Sequence, residues 1–96
     1  DEASGTVYAV KAAPYCYSTN GALDVNVNIE VLDADGNVIP GLYACGTDSM
    51  GVFFTEETGY IDYGGVAHSW CFTSGRLAGE NAAAYGMQMN ETAEAA

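Results

Sequence analysis

Three cysteines and one histidine are the side chains of this sequence that most readily bind metal ions or form covalent bonds. Cys16, Cys45 and Cys71 are far apart, odd in number and without a C-x-x-C pair. A disulfide scaffold needs an even, dense set, and a structural zinc site needs four ligands at short spacing. His68 and Cys71 could share one helix face. We expect no metal site, idle or buried thiols, and a histidine that is a helix residue rather than a proton relay.

An acidic segment at 33–37, Asp-Ala-Asp-Gly-Asn, has the residue types of a calcium loop but not its spacing. The glycine of an EF-hand loop is its sixth residue and a bidentate glutamate is its twelfth, and neither position matches here. Asp35-Gly36 supplies a positive φ at little cost, so the segment predicts the tight turn of a hairpin.

Charge and length exclude several classes of protein. The chain has 96 residues, 2 Lys+Arg against 13 Asp+Glu, and a net charge of −11. It is one domain at most, and it lacks the basic patch that nucleic acid or an anionic membrane surface requires. Its hydrophobic content of 49% excludes a disordered acidic tail. Its apolar runs are too short for membrane insertion, and no signal peptide is visible.

Alternating hydrophobicity predicts a hairpin in the first half of the chain. Between residues 23 and 31 the odd positions are apolar and the even positions polar, which is typical of a half-buried strand. Val38-Ile39 predicts the returning strand, and an apolar run at 42–45 follows it. A β-prone segment at 6–10 predicts a further strand. The inward residues of the first strand would be Leu23, Val25, Val27, Ile29 and Val31.

The second half of the chain predicts a loop and then a helix. Glycines and scattered aromatic residues fill residues 46–65, which predicts a long loop of a kind that is usually functional. Apolar residues three to four apart then predict one helix over about 66–86. Gly64-Gly65 lies at its start, and Gly86 at the position of a C-terminal cap.

The fold class that these elements predict is α+β. It comprises a small antiparallel or mixed sheet with a hairpin at about 23–45 and one long C-terminal helix at about 66–86. No second helix is predicted to cover the sheet, and no G-x-G-x-x-G fingerprint is present to bind a pyrophosphate. Both gaps would be explained if the chain were a fragment of a larger protein.

Three motifs carry a family resemblance. They are YAVK at 8–11 with TNGAL at 19–23, VLDADGNVIPGLYACG at 31–46, and GG at 64–65 followed by SGRLAGENAA at 74–83. In this order and spacing they resemble the C-terminal part of the fumarate reductase/succinate dehydrogenase-type flavoproteins. The resemblance covers nearly the whole chain.

This resemblance implies the C-terminal portion of an FAD-dependent oxidoreductase, a fragment of a larger FAD/NAD(P)-binding protein with a Rossmann-like α/β fold. Residues 1–22 would be the end of the substrate-capping region and the return strand. Residues 23–87 would be the C-terminal part of the FAD-binding domain, and 88–96 a frayed acidic tail. The partners would be the rest of the same chain and a small-molecule substrate.

The resemblance also implies which residues face the cofactor. An acidic residue after the glycine of the family's GLYAxGE motif bonds the FAD ribityl chain, and here Thr47 and Asp48 follow Gly46. The family's last helix points its N-terminus at the isoalloxazine ring. Free N–H groups and a partial positive charge there favour the anionic edge of a reduced flavin. The implied cofactor-binding residues are Gly46, Thr47, Asp48, Gly65, Val66, Ala67 and His68.

Departures from the family pattern argue against fumarate as the substrate. Asp62 stands where fumarate reductases carry an arginine that clamps a carboxylate, and Tyr17 lies in the region of their substrate-binding histidine. Tyr60 and Gly64 have the spacing of ketosteroid dehydrogenases of the same superfamily, in which a tyrosine hydroxyl and a glycine N–H polarise a ketone oxygen. We take these two as the catalytic pair. The substrate pocket would be lined by Tyr17, Thr19, Phe53 and Tyr63, although aromatic residues in a loop could equally pack on the core.

Two other functions stay open. The chain could be a stand-alone acidic interaction module without a cofactor, acting through its aromatic loop or an open sheet edge. A flavoprotein could also keep a dicarboxylate substrate if the rest of its chain supplied an arginine.

The isolated chain is expected to be inactive and to dimerise by exchanging strands or its helix. The compartment, bacterial cytoplasm or exported, is not fixed by the sequence.

Overall fold

The computed structural model describes four stretches of the chain, residues 5–14, 21–55, 57–58 and 63–95. Within them the elements are β1 (Glu30–Leu32), β2 (Val38–Tyr43), a 3₁₀ helix (Gly46–Val52) and α1 (Val66–Ala95). The two strands form one antiparallel sheet. The α+β class and the order of a hairpin followed by a long helix are therefore confirmed.

The turn between β1 and β2 matches the prediction from its sequence. The Asp33 N–H donates to the Asn37 carbonyl at 2.8 Å, and the Gly36 N–H donates to the Asp33 carbonyl at 3.0 Å. Gly36 has φ +83°, which glycine adopts without strain. The Asp33 carboxylate accepts the N–H groups of Asp35 and Asn37, both at 2.9 Å. One carboxylate thus organises the whole turn.

The long strand predicted over residues 23–31 is wrong, because this segment folds back on itself. Val25 pairs with Val31 in an antiparallel bridge. The Asn26 N–H donates to the Glu30 carbonyl at 3.1 Å. The segment is therefore a tight hairpin of its own, and only its second arm continues as β1.

Asn26 explains the fold-back. Its side-chain oxygen accepts the N–H groups of Asn28 at 2.9 Å and Glu30 at 3.1 Å. The asparagine side chain thus takes backbone N–H groups that would otherwise bond a neighbouring strand. The pattern of hydrophobic residues does not predict this local effect. Ile29 closes the turn with φ +64°. The two predicted inward residues that this leaves exposed are Leu23 (50%) and Val27 (89%).

Two other element predictions are corrected. The predicted strand at 6–10 is not formed, and its apolar side chains are almost fully exposed. A strand needs a partner for its backbone N–H and C=O groups, and the described residues supply none to this segment. The predicted loop at 46–65 begins with the 3₁₀ helix.

The helix α1 begins at Val66, as predicted, but it runs to Ala95 rather than to about residue 86. Gly86 lies inside this helix and therefore does not cap it, and a Cβ added there would meet open space. A glycine inside a helix lowers its stability by roughly 1 kcal/mol relative to alanine, which the residues on either side outweigh. The polar segment predicted to fray at 88–96 is described as helical through Ala95.

The sheet packs on the middle of α1 through one close glycine contact and two side-chain hydrogen bonds. A Cβ at Gly41 would lie 3.1 Å from the ring of Tyr85. The Tyr43 hydroxyl donates to the Asn81 carbonyl at 3.3 Å, and the Asn81 amide donates to the Asn28 carbonyl at 2.9 Å. Both hairpins are therefore attached to the same stretch of helix.

The core formed by these elements is small. The chain measures 80 × 28 × 18 Å and exposes 7544 Å², whereas a compact protein of its mass exposes about 5,200 Å². None of the helices described is long and apolar enough to cross a lipid bilayer. The buried apolar residues are Val25, Ile29, Val31, Ala44, Met50, Phe54 and Ala78.

Ile29 yields a test of the fold-back. An L-residue with a left-handed backbone costs roughly 1–2 kcal/mol, and glycine avoids this cost. We expect Ile29→Gly to be at least as stable as Ile29→Ala in urea unfolding of the intact protein, although both lose the buried side chain. At Val31, in β1, the usual order is expected, with glycine less stable than alanine by about 0.5–1 kcal/mol. The same order at both positions would contradict the turn.

Asp33 yields a test of the main turn. The N–H groups of Asn37 and Asp35 hold the pKa of the Asp33 carboxyl below its ordinary value of 3.8. A lowered pKa stabilises the fold above the unfolded value, and this contribution is lost as the pH falls through the folded value. We expect a ¹³C NMR titration of the carboxyl to give a pKa below 3.8. Asp33→Asn should remove the corresponding loss of stability below about pH 4. A titration at or above the ordinary value would show that these bonds do not form.

Candidate functional site

The 3₁₀ helix lies against the first turns of α1, and a tryptophan joins the two elements. Trp70 stacks edge-on against Phe53, with ring centroids 5.2 Å apart. Its indole N–H donates to the Ser49 hydroxyl at 2.9 Å. Because Trp70 follows the start of α1 by one turn, the contact fixes the N-terminal end of the helix beside the 3₁₀ helix.

Two serines complete this junction. The Gly46 N–H donates to the Ser74 hydroxyl at 2.9 Å, and that hydroxyl donates to the Trp70 carbonyl at 2.5 Å. The Ser49 hydroxyl donates to the Gly46 carbonyl at 3.2 Å. Both serines are fully buried. We refer to Gly46, Ser49, Trp70 and Ser74 as the serine circuit.

Position 46 favours glycine for two reasons. Its φ is +61°, and an added Cβ would lie 3.2 Å from the Cys71 sulfur. The end of the hairpin can therefore approach the helix axis closely. Gly46 is itself buried, and its N–H is used by Ser74. Thr47 and Asp48 are the exposed residues that follow.

A shallow groove of about 340 Å³ opens beside these two residues. The Leu23 N–H donates to the Asp48 carbonyl at 2.9 Å and holds the groove's two walls together. Gly21, at one end, has φ +89° and open space where a side chain would stand. The groove is lined by Gly21, Ala22, Leu23, Thr47 and Asp48.

Two exposed glycines precede the first residue of α1. Gly64 and Gly65 are exposed with open space around both, and Gly65 has φ +90°. The Ser69 N–H makes a helical bond to the Gly65 carbonyl at 2.9 Å. The first turn itself carries no acidic residue, so no carboxylate within it offsets the partial positive charge of the helix start. The Val66 N–H donates to the Tyr63 carbonyl at 3.4 Å.

The structure brings the two sets of predicted cofactor residues onto elements that touch. Gly46, Thr47 and Asp48 lie at the start of the 3₁₀ helix. Gly65 precedes α1, and Val66, Ala67 and His68 form its first turn, with only Val66 partly buried. The serine circuit fastens these two elements together.

The predicted substrate residues are only partly described. Tyr17, Thr19 and Tyr60, like Asp62, lie outside the described residues. Phe53 packs on Trp70 between the two helices. Tyr63 is exposed next to Gly64, the second member of the predicted catalytic pair.

Sequence reasoning missed the two serines. Trp70 is one of the apolar residues whose three-to-four spacing predicts α1, and Ser74 lies one turn further along the same face, where a core residue would be expected. A polar residue on the inner face of a predicted helix needs a buried partner. This position could therefore have been found, whereas nothing local distinguishes Ser49.

Comparison with known proteins identifies the family. The family model described as the FAD binding domain matches residues 2–59. The chain belongs to the FAD-binding domain family. It is 41% identical over 81 residues to a fumarate reductase (cytochrome) of Shewanella frigidimarina, covering 84% of this chain and 13% of that protein. It is 37% identical over 86 residues to a vinyl phenol reductase of Lactiplantibacillus plantarum, covering 90% and 17% respectively.

A third relative is a KsdD-like steroid dehydrogenase of Mycobacterium tuberculosis, 35% identical over 83 residues, or 86% of this chain and 14% of that protein. The chain thus spans less than a fifth of the length of these curated relatives. No solved structure matches it significantly. FAD is the cofactor that the matching family binds.

The residues of the groove and the helix start fit this cofactor. The hydroxyl of Thr47 and the carboxylate of Asp48 stand at an open groove, and they can bond the hydroxyls of a ribityl chain. The open space at Gly64 and Gly65 lets a planar ring approach backbone N–H groups. A first helical turn without an acidic residue favours an anionic ring edge.

Gly46 provides a test of the close approach. We expect Gly46→Ala to destabilise the intact protein more than Gly36→Ala, by on the order of 1–3 kcal/mol, because both lose a positive-φ glycine but only Gly46 is crowded. Thermal unfolding would measure both. Removing the sulfur with Cys71→Ala should reduce the difference. Equal costs for the two alanine variants in the native background would contradict the contact.

Proposed function

We propose that this chain is the flavin-facing, C-terminal part of an FAD-dependent oxidoreductase. The observation that carries this proposal is the match of the FAD binding domain over residues 2–59, the segment that contains the groove. The elongated shape and large exposed surface support a partner in the remainder of the same protein. The dimerisation expected of the isolated chain stays a prediction.

When bound, FAD would exchange hydride at its N5 atom with an unsaturated or ketone-bearing small molecule. The chain's own contribution would be binding and orientation. Thr47 and Asp48 would bond the ribityl chain, and the N–H groups of Ala67 and His68 would face the N1–C2=O edge of the ring. The Val66 N–H, which was expected to join them, is bonded to the Tyr63 carbonyl at 3.4 Å. A partial positive charge at this edge would raise the tendency of the flavin to accept hydride.

A carbonyl substrate would be held by Tyr60 and Gly64. The Tyr60 hydroxyl and the Gly64 N–H would donate to the substrate oxygen and stabilise the negative charge that develops on it. The exposure of Gly64 at the helix start supports this role. Tyr63 stands beside it and would line the pocket, together with Phe53, Tyr17 and Thr19.

Fumarate is disfavoured by the charges of this chain. A dicarboxylate needs a cationic clamp, and Asp62 stands where the arginine of fumarate reductases would be. Arg76 is exposed on the outer face of α1, where its guanidinium bonds Glu80 at 2.8 Å. The relatives are named for fumarate, vinyl phenol and steroid chemistry, so the family alone does not choose the substrate.

The test uses the full-length protein, purified without added cofactor. We expect the visible spectrum of oxidised flavin. We also expect Tyr60→Phe to slow the reduction of an α,β-unsaturated ketone about 100-fold with the flavin content unchanged, because one oxyanion donor is lost. Tyr85→Phe removes a tyrosine hydroxyl about five turns along α1 from its start and should leave turnover unchanged.

Two outcomes would contradict this function. A colourless protein that also ignores added FAD would support the acidic interaction module instead. A flavoprotein that reduces fumarate but no ketone would restore the dicarboxylate hypothesis, with an arginine supplied by the rest of the chain.

A further inference from the structure

We propose that the serine circuit positions the flavin, by fixing the start of the 3₁₀ helix against the start of α1. Ser49, Trp70 and Ser74 would be positioning residues that do not touch the cofactor. The inference rests on the proposed function, since the two elements are those assigned to the ribityl chain and to the ring edge.

The circuit is a closed ring of hydrogen bonds. Starting from Gly46, its N–H donates to Ser74, and the Ser74 hydroxyl donates to the Trp70 carbonyl. The Trp70 indole N–H donates to Ser49, and the Ser49 hydroxyl donates back to the Gly46 carbonyl. Each hydroxyl donates one bond and accepts one. The Gly46 N–H is thus linked through Ser74 to the Trp70 carbonyl, and the Gly46 carbonyl is linked through Ser49 to the Trp70 indole.

The location of the ring gives it a role beyond stability. Thr47 and Asp48 follow Gly46 directly, and the first turn of α1 ends at Trp70. If a bond of the ring were broken, Thr47 and Asp48 could therefore shift relative to the first turn of α1. Binding that uses both sets requires them to be aligned within about 0.5 Å.

A separate attachment of α1 offers a matched control. The Asn81 amide bonds the Asn28 carbonyl at 2.9 Å, and the Tyr43 hydroxyl bonds the Asn81 carbonyl. These bonds also join α1 to the hairpins, but they lie about three turns beyond Trp70. Asn81→Ala removes the amide bond to Asn28 and keeps the bond to the Asn81 backbone carbonyl, so it should lower stability without moving the two helix starts.

Two substitutions open the ring with little change of shape. Trp70→Phe keeps an aromatic ring opposite Phe53 and removes the indole N–H. Ser49→Ala removes the hydroxyl that this N–H bonds. Because each substitution breaks the same ring, the double variant should behave like the more impaired single variant instead of adding both effects.

The experiment measures FAD affinity, flavin circular dichroism and urea unfolding of the full-length protein. We expect Ser49→Ala and Trp70→Phe to weaken FAD binding about tenfold and to change the flavin dichroism, as a misplaced contact would. The double variant should stay within about twofold of the weaker single variant. Asn81→Ala should unfold at lower urea but keep the native FAD affinity and dichroism.

Three results separate the possibilities. Native FAD affinity and dichroism in both Ser49→Ala and Trp70→Phe would overturn the positioning role and leave the flavoprotein assignment intact. Equal weakening by Asn81→Ala would show that the effect follows general stability, which also overturns it. A native protein that binds no FAD would overturn the proposed function and this inference together.

Discussion

The close approach of the Gly46 backbone to α1 is the contact on which the rest of the structure depends. A Cβ at this position would lie 3.2 Å from the Cys71 sulfur, so the sulfur or the hairpin would have to shift. A shift of the hairpin would lengthen the bonds that the buried serines make to Gly46. One missing side chain thereby allows a β-hairpin, a 3₁₀ helix and a long α-helix to share a single polar junction.

Polar bonds as well as apolar burial hold the described part of this chain together. The residues that form the hydrophobic core are few, and much of the surface of α1 is exposed. Buried polar groups that are fully bonded specify a geometry better than apolar contacts alone, because partial bonding is costly. The hairpin, the 3₁₀ helix and α1 thus have a defined arrangement even though they enclose a small interior.

The sequence predicted the features that depend on local chemistry. Asp-Gly gave the turn at 33–37, and the glycine pair gave the start of α1. The fold-back at Asn26 is not predicted, because alternating apolar and polar residues occur both in a straight strand and in two short arms joined by an asparagine turn. The end of α1 was misplaced because Gly86 is tolerated in a helix interior. The two serine bonds that join the 3₁₀ helix to α1 span 21 and 28 residues, so no local pattern predicts that Ser49 bonds Trp70.

The closed ring has a consequence for how this sequence can change over evolutionary time. Exchange of Ser49, Trp70 or Ser74 alone leaves a buried donor or acceptor without a partner, and each such loss costs about 1–3 kcal/mol. Replacement of Ser49 and Trp70 together should cost less than the sum of the two single exchanges, because the indole donor and its acceptor are then lost together. Ser74 bonds only backbone groups, so no second exchange compensates for its loss. Drift at positions 49 and 70 should therefore proceed by paired exchange, and a homologue lacking the indole should also lack the serine that bonds it.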